Sequence, residues 1–175
     1  MNSELVTTPP QRVFLSIGSN LGNPQRNCQR GIEMLRADET MKIISCSPFY
    51  RTEPIDFRDQ GWFVNAVLLI QTTLAPLELL EKTQRIEERM GRKEGGPRFG
   101  PRVLDLDIIF YGDLTMESLR LVIPHPRMHK RRFVLQPICD IDPLVVHPVL
   151  GHTMQELLNQ VLTDGQEIEP CSSDC

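Results

Sequence analysis

The segment Arg98-Phe-Gly-Pro-Arg102-Val-Leu-Asp105-Leu-Asp107-Ile-Ile-Phe-Tyr111 joins an arginine-bearing glycine loop to an apolar, β-branched run that carries two carboxylates. Such a run reads as a strand over residues 103–111. Side chains alternate across a strand, so Asp105 and Asp107 share one face with Val103, Ile109 and Tyr111, and Leu104, Leu106, Ile108 and Phe110 share the core face. At a rise of about 3.3 Å per residue the two carboxylate stems stand roughly 6.6 Å apart. Two readings stay open. Charges on a solvated edge strand discourage edge pairing. However, apolar neighbours on the Asp face imply partial burial, and a buried, unpaired carboxylate pair is costly unless a cation or guanidinium relieves it. Arg92, Arg98 and Arg102 lie just upstream. Carboxylates for a hard metal beside arginines for phosphate form the pattern of a site for a metal-bound polyphosphate.

Working outward, residues 13–17 read as a buried first strand. Asn23 then caps a helix with Pro24 at its first position and Cys28, Ile32 and Leu35 as its apolar stripe, ending near Arg36. Residues 41–50 read as a second strand, ended by Ser47-Pro48, and 51–61 as a polar loop. Residues 63–72 form a third strand with Phe63, Asn65, Val67 and Leu69 on one face; an amide there must be hydrogen-bonded. Residues 77–90 form a second helix with Leu79, Ile86 and Met90 inward and Gly91 closing it, while Gln84 and Glu87 by spacing alone form a solvated face. A short strand at 119–123 and a last helix at 153–162 follow. The order β-α-β-β-α-β predicts a ferredoxin-like α+β sandwich, an antiparallel sheet with helices packed on it and extra C-terminal elements. Residues 1–175 form a single domain in this reading, with 1–11 and 164–175 as flexible tails. The two long loops frame a cleft if they lie at one end of the sheet.

The formal net charge of −4 argues against a general nucleic-acid binder, while arginines clustered over 85–102 and 120–132 suit a small anionic ligand. Five cysteines without a CxxC pair argue against zinc and for reduced thiols. No apolar leader or long apolar span occurs, so a soluble, cytoplasmic protein without a membrane partner is expected. P-loop, Rossmann and nucleophile-elbow patterns are missing. His125, held between Pro124 and Pro126, can donate to a phosphate if arginines gather around it. Phe63 and Phe133 read singly as core, but an aromatic beside a buried Asn can stack on a planar ring.

The segments Leu15-Ser-Ile-Gly-Ser-Asn-Leu-Gly22, Phe49-Tyr-Arg-Thr-Glu-Pro54, Phe63-Val-Asn65, Thr83-Gln-Arg-Ile-Glu87, Phe99-Gly-Pro-Arg-Val-Leu-Asp-Leu-Asp-Ile108 and Ile123-Pro-His125 together resemble the 6-hydroxymethyl-7,8-dihydropterin pyrophosphokinase family of folate biosynthesis. The resemblance implies transfer of pyrophosphate from ATP to the pterin hydroxymethyl group, with release of AMP. It implies that Asp105 and Asp107 hold two Mg²⁺ ions, and that Arg92 and Arg102 act with them in catalysis. Gln84, Glu87, Arg92, Arg98, Arg102, Ile108, His125 and Arg131 correspond to contacts with ATP. Thr52, Glu53, Ile55 and Asn65 correspond to contacts with the pterin, and Phe63 and Phe133 to its stacking pair. It further implies a monomer acting on small molecules. Some members of that family carry a basic residue where Glu94 stands, a Trp where Phe99 stands and an aromatic where Pro126 stands. Rival readings are an RNA-binding module of the same fold and another metal-dependent nucleotidyl enzyme using the same aspartates.

Overall fold

The computed structural model describes residues 9–55, 59–92 and 100–171. In chain order the elements are β1 (Gln11–Ser19), α1 (Pro24–Arg36), β2 (Met41–Cys46), β3 (Tyr50–Thr52), β4 (Phe63–Thr72), α2 (Pro76–Arg89), β5 (Asp105–Tyr111), β6 (Met116–Glu117), β7 (Val122–Ile123), a 3₁₀ turn (Met128–Lys130), α3 (Arg132–Ile141), α4 (Met154–Gln160) and β8 (Ile168–Pro170). The main sheet is antiparallel and runs β5-β1-β4-β3-β8, with β2 also on β4. Counting β2 and β3 as one interrupted strand gives the expected ferredoxin-like order. The interruption falls at Ser47-Pro48, where proline has no amide to give a ladder. Ser47 repairs the gap, since its hydroxyl accepts from the Val67 N–H at 3.0 Å.

Local signals account for the helices that were anticipated. The Asn23 side chain accepts from the Arg26 N–H at 3.1 Å, and Pro24 opens α1, which buries Cys28, Ile32 and Leu35. In α2 the Glu78 carboxylate accepts from the Ala75 N–H at 2.8 Å. Leu79, Thr83 and Ile86 face the sheet, and Glu87 is buried with them rather than solvated. These helices cover one face with Val13, Leu15, Ile17, Leu68, Leu104, Leu106 and Ile108.

Four findings correct the sequence reading. The opposite sheet face is also covered: Phe14, Val67 and Leu69 pack under α3 and α4 with Val134, Leu135, Ile138, Met154 and Leu157. Second, the β1–β5 register runs Phe14↔Phe110 and then Leu15↔Ile108, so Ile109 is an extra residue. Such a bulge reverses facing beyond it. Phe110 therefore joins Ile109 under α3, edge-to-face with Phe14, while Tyr111 turns to the α1/α2 side. Third, the short strand expected at 119–123 is a hairpin of β6 and β7, with Leu119 fully exposed between them. Fourth, the expected loose tail contains β8, whose Ile168 faces Thr52 and whose Glu169 faces Arg51. Cys46 is disulfide-bonded, against the expectation of reduced thiols, whereas Cys28, Cys139 and Cys171 are free.

Asp38, just past α1, ties the two sheet-covering helices together. It accepts from the Lys82 ammonium of α2 at 2.6 Å and from the Thr40 N–H at 3.0 Å. Burial alone would raise its pKa, but the Thr40 and Lys82 donors outweigh it and lower the value to about 2. A depressed carboxyl contributes stability that is fully present above the ordinary aspartate value near pH 4 and is lost as pH falls toward about 2. Asp38→Asn is expected to cost about 1 kcal/mol at neutral pH after solvent screening. The difference from wild type should vanish near pH 2, as thermal unfolding across pH would show.

Candidate active site

The cleft floor is set by what β1 lacks. Where alternation points β1 side chains between the long loops, it carries only Ser16 and Gly18. The register places Ser16 beside Asp107, and Gly18 between Asp105 on β5 and Asn65 on β4. A Cβ on Gly18 would stand 2.3 Å from the Asn65 Oδ1, so that amide occupies space only glycine leaves free. Asn65 is 5 % exposed, and its Nδ2 donates to the Thr52 hydroxyl at 2.7 Å. Thr52, Glu53, Ile55 and Phe63 complete this end of a cavity of about 350 Å³, with Phe133 from the first turn of α3.

The other end is ionic. Arg92, Arg102, Arg127, Arg131, Asp105, Asp107 and His125 line it. Arg102 donates to Asp105 at 2.6 Å, and Arg92 donates to the same oxygen at 3.1 Å. Glu87 lies behind, pairing with Arg92 and accepting the Leu106 N–H at 2.7 Å. Burial, then the Asp105 charge, raises the Glu87 pKa, with Arg92 opposing. Asp107 is likewise pushed up by burial and by Asp105, against Arg131, Arg102 and Arg92. The Asp107 anion, disfavoured by burial and by the neighbouring Asp105 charge, would be relieved by a cation.

His125 has the opposite bias. Burial and the charges of Arg131 and Arg127 lower its pKa to about 4. It is therefore neutral at pH 7, and because its Nδ1 accepts the Arg127 N–H at 3.3 Å, the proton sits on Nε2. A neutral imidazole offering one N–H is a hydrogen-bond donor to an anion. The His125 main chain is fixed by donation to the Ile109 carbonyl at 3.0 Å.

Every sequence-selected residue of the pterin set lines the cavity, as do Arg92, Arg102, Asp105, Asp107, His125 and Arg131. Gln84, Glu87 and Ile108 do not: Gln84 is exposed on α2, Glu87 is buried behind Arg92, and the Ile108 side chain belongs to the α1/α2 core. Arg98, Glu94 and Phe99 lie outside the described residues. Sequence reasoning overlooked Arg127, whose only signal was its place in the second arginine cluster. Asn20, too, was not singled out for any contact of its own. Its Oδ1 accepts the Arg102 N–H at 2.7 Å, and its Nδ2 donates to Gln60 Oε1 at 2.9 Å and to the Gly61 carbonyl at 3.2 Å. Asn20 thus clamps both loops to the end of β1.

A family model for 7,8-dihydro-6-hydroxymethylpterin-pyrophosphokinase matches residues 14–143, which include both ends of this cleft. The chain belongs to that pyrophosphokinase family. It is 38 % identical to the Pseudomonas aeruginosa protein called 2-amino-4-hydroxy-6-hydroxymethyldihydropteridine pyrophosphokinase, over 91 % of this chain and 98 % of that one. It is also 38 % identical to the folic acid synthesis protein fol1 of Schizosaccharomyces pombe, but spans only 22 % of that longer chain. A Plasmodium falciparum HPPK-DHPS structure, solved with pteroate, has the same fold: TM-score 0.70, 18 % identity, 86 % of this chain and 42 % of that one covered.

In this pyrophosphokinase-family chain, Gly18→Ala should displace the Asn65 amide while leaving the strand pairing intact. We expect stability to fall by about 1–3 kcal/mol, the cost of leaving the buried Asn65–Thr52 pair unmade, as thermal unfolding would show. An unchanged melting temperature would contradict the close approach at Gly18.

Proposed function

We propose that this chain transfers pyrophosphate from ATP to the hydroxymethyl group of 6-hydroxymethyl-7,8-dihydropterin, giving AMP and the pterin diphosphate. The observation that carries the reading is the joining of two unlike ends in one cleft: a buried amide with two phenylalanines, and four arginines with two carboxylates. A pterin is flat with a polar edge. Phe63 and Phe133 suit its faces, and Asn65, with Thr52, suits its edge. A triphosphate suits Arg92, Arg102 and Arg131, with the His125 Nε2–H as a neutral donor. The pterin hydroxyl oxygen bonds to the β-phosphorus, the bond from that phosphorus to the α–β bridging oxygen breaks, and AMP leaves with the electron pair. The hydroxyl proton is released. Positioning by the two ends and charge neutralisation by the arginines supply most of the acceleration.

Among the described residues no group of three or more histidine, cysteine or carboxylate side chains gathers for a metal. Two carboxylates on one strand face do suit Mg²⁺, which keeps waters and phosphate oxygens as its other ligands. Asp105 and Asp107 would hold two such ions. Bound there, Mg²⁺ would neutralise phosphate charge and acidify the attacking hydroxyl.

The adenosine half would lie along the open edge of β5. The Leu106 N–H, taken by Glu87, points away from β1, so the amide of Ile108 two residues on faces the same edge. Gln84 stands exposed on the neighbouring helix, and Arg98 keeps its phosphate role on the resemblance alone. No helix of the described residues is long and apolar enough to cross a membrane. With ATP as co-substrate, we place the protein in the cytoplasm as a monomer without nucleic-acid partners.

Purified protein given ATP, Mg²⁺ and the hydroxymethyl pterin should form AMP and pterin diphosphate in equal amounts; formation of ADP would refute the transfer. Asp107→Ala should abolish turnover with the circular dichroism spectrum unchanged. Arg102→Ala should lower kcat by about 10²–10³, the range seen when one transition-state donor is removed. A near-normal rate for either variant at saturating Mg²⁺ would remove that residue from the machinery.

A further inference from the structure

The C-terminal segment beyond residue 143, where the match to the family model ends, touches both walls of the pterin end. Arg131, the N-cap residue of α3, makes no side-chain cap bond to its own helix. The cap comes instead from Gln166: its Oε1 accepts the Arg132 N–H at 2.8 Å, and its Nε2 donates to the Lys130 carbonyl at 3.1 Å. One side chain therefore holds the main chain on both sides of Arg131, two residues before Phe133. The next residue holds the opposite wall. The Glu53 N–H donates to the Glu167 carbonyl at 3.0 Å, and the Glu167 N–H donates to Glu53 Oε2 at 3.4 Å. From there β8 pairs with β3, with Ile168 facing Thr52. A positive φ at Gly165 and a bond from the Gln166 N–H to the Thr163 carbonyl shape the turn that delivers Gln166.

We infer that Gln166 is a positioning residue for the pterin subsite. Together with the Glu167 main chain, it sets the spacing between the Phe133 ring and the Thr52–Asn65 pair. Helix capping from a distant segment is sensitive to that segment's presence, whereas a local cap is not. The stacking ring of the proposed reaction thus depends on the chain's C-terminal strand. The inference rests on the pterin reading for its functional consequence and on hydrogen-bond geometry alone for its structural one.

The test uses the full chain and three variants. Gln166→Ala should raise the KM for the hydroxymethyl pterin about five- to tenfold, as expected for a lost cap that orients a binding residue. Its kcat should change less than about twofold, and its KM for ATP should rise less than its KM for the pterin, because Arg131, between the two Gln166 bonds, is one of several phosphate-binding arginines. Gln166→Glu keeps an acceptor for the Arg132 N–H and should recover most of the pterin KM. Thr153→Ala removes the local cap of α4, whose threonine accepts from the Glu156 N–H at 3.2 Å, and should lower the melting temperature without moving the pterin KM. Amide exchange at Arg132 should accelerate in Gln166→Ala only. An unchanged pterin KM in Gln166→Ala, or an equal shift in Thr153→Ala, overturns the positioning role. If wild type turns over no pterin, the proposed function fails, and the Arg132 exchange still decides whether Gln166 caps α3.

Discussion

The cleft depends on a constraint in the central strand: β1 presents Ser16 and Gly18 where its neighbours present Asp107, Asp105 and Asn65. A strand with larger side chains at those positions would fill the depression and force the carboxylates and the amide apart. Because Gly18 pairs with Asn65 on one side and Asp105 on the other, one row across three strands runs from the amide end to the ionic end. The distance between those ends is then fixed by the inter-strand spacing of about 4.8 Å and by backbone hydrogen bonds, not by loops. Loops only add walls, and Asn20 at the end of β1 pins two of them to the same strand.

Burial on both faces makes that row rigid. α1 and α2 cover one side, and α3 with α4 covers the other up to the point where the cleft begins. Phe14, two residues before Ser16 on the same face, is 4 % exposed and packs edge-to-face on Phe110. The second core therefore ends where β1 changes from phenylalanine to serine. The bulge at Ile109 lies at this border and sends Phe110, rather than Tyr111, under α3 beside Ile109. A core that stops abruptly beside polar residues gives the cleft a low-dielectric wall, which strengthens each charge–charge interaction in it.

What the residues revealed in advance was whatever local periodicity encodes. Strand β4 and helix α1 follow alternation and capping signals that act within a few residues, and both were bounded correctly. The shared facing of Asp105 and Asp107 was also correct, because the bulge lies beyond them. Misses came from non-local pairing. Nothing in Ile168-Glu-Pro170 marks a strand until β3 offers it an edge. Nothing at Glu87 distinguishes a solvated glutamate from one taking a strand amide 19 residues away. Asn20 and Gln166 were missed for the same reason: each polar side chain acts on a segment far along the chain. Asp105, Asp107 and the arginines beside them stood out without the resemblance, since an Asp-x-Asp strand and clustered arginines carry their chemistry in composition, although Arg127 did not.

The ionic end is held together by contacts that a polyphosphate would have to replace. Asp105 is shared between Arg92 and Arg102, while Arg92 also answers to Glu87. Guanidinium groups so engaged cannot give their full donor set to phosphate until Asp105 finds another partner. In the proposed reaction a divalent cation arriving with the nucleotide would be such a partner: Asp105 and Asp107 would hold it, and the phosphates would satisfy the freed arginines. Neither half of that exchange is favourable alone. Phosphate without cation would leave Asp105 and Asp107 facing added negative charge, and cation without phosphate would leave the arginines facing added positive charge. If the proposed reaction holds, cation and nucleotide would therefore bind with positive coupling, and that coupling is reciprocal. The amide end, whose Asn65–Thr52 pair is uncharged, stays outside this linkage except through the walls both ends share.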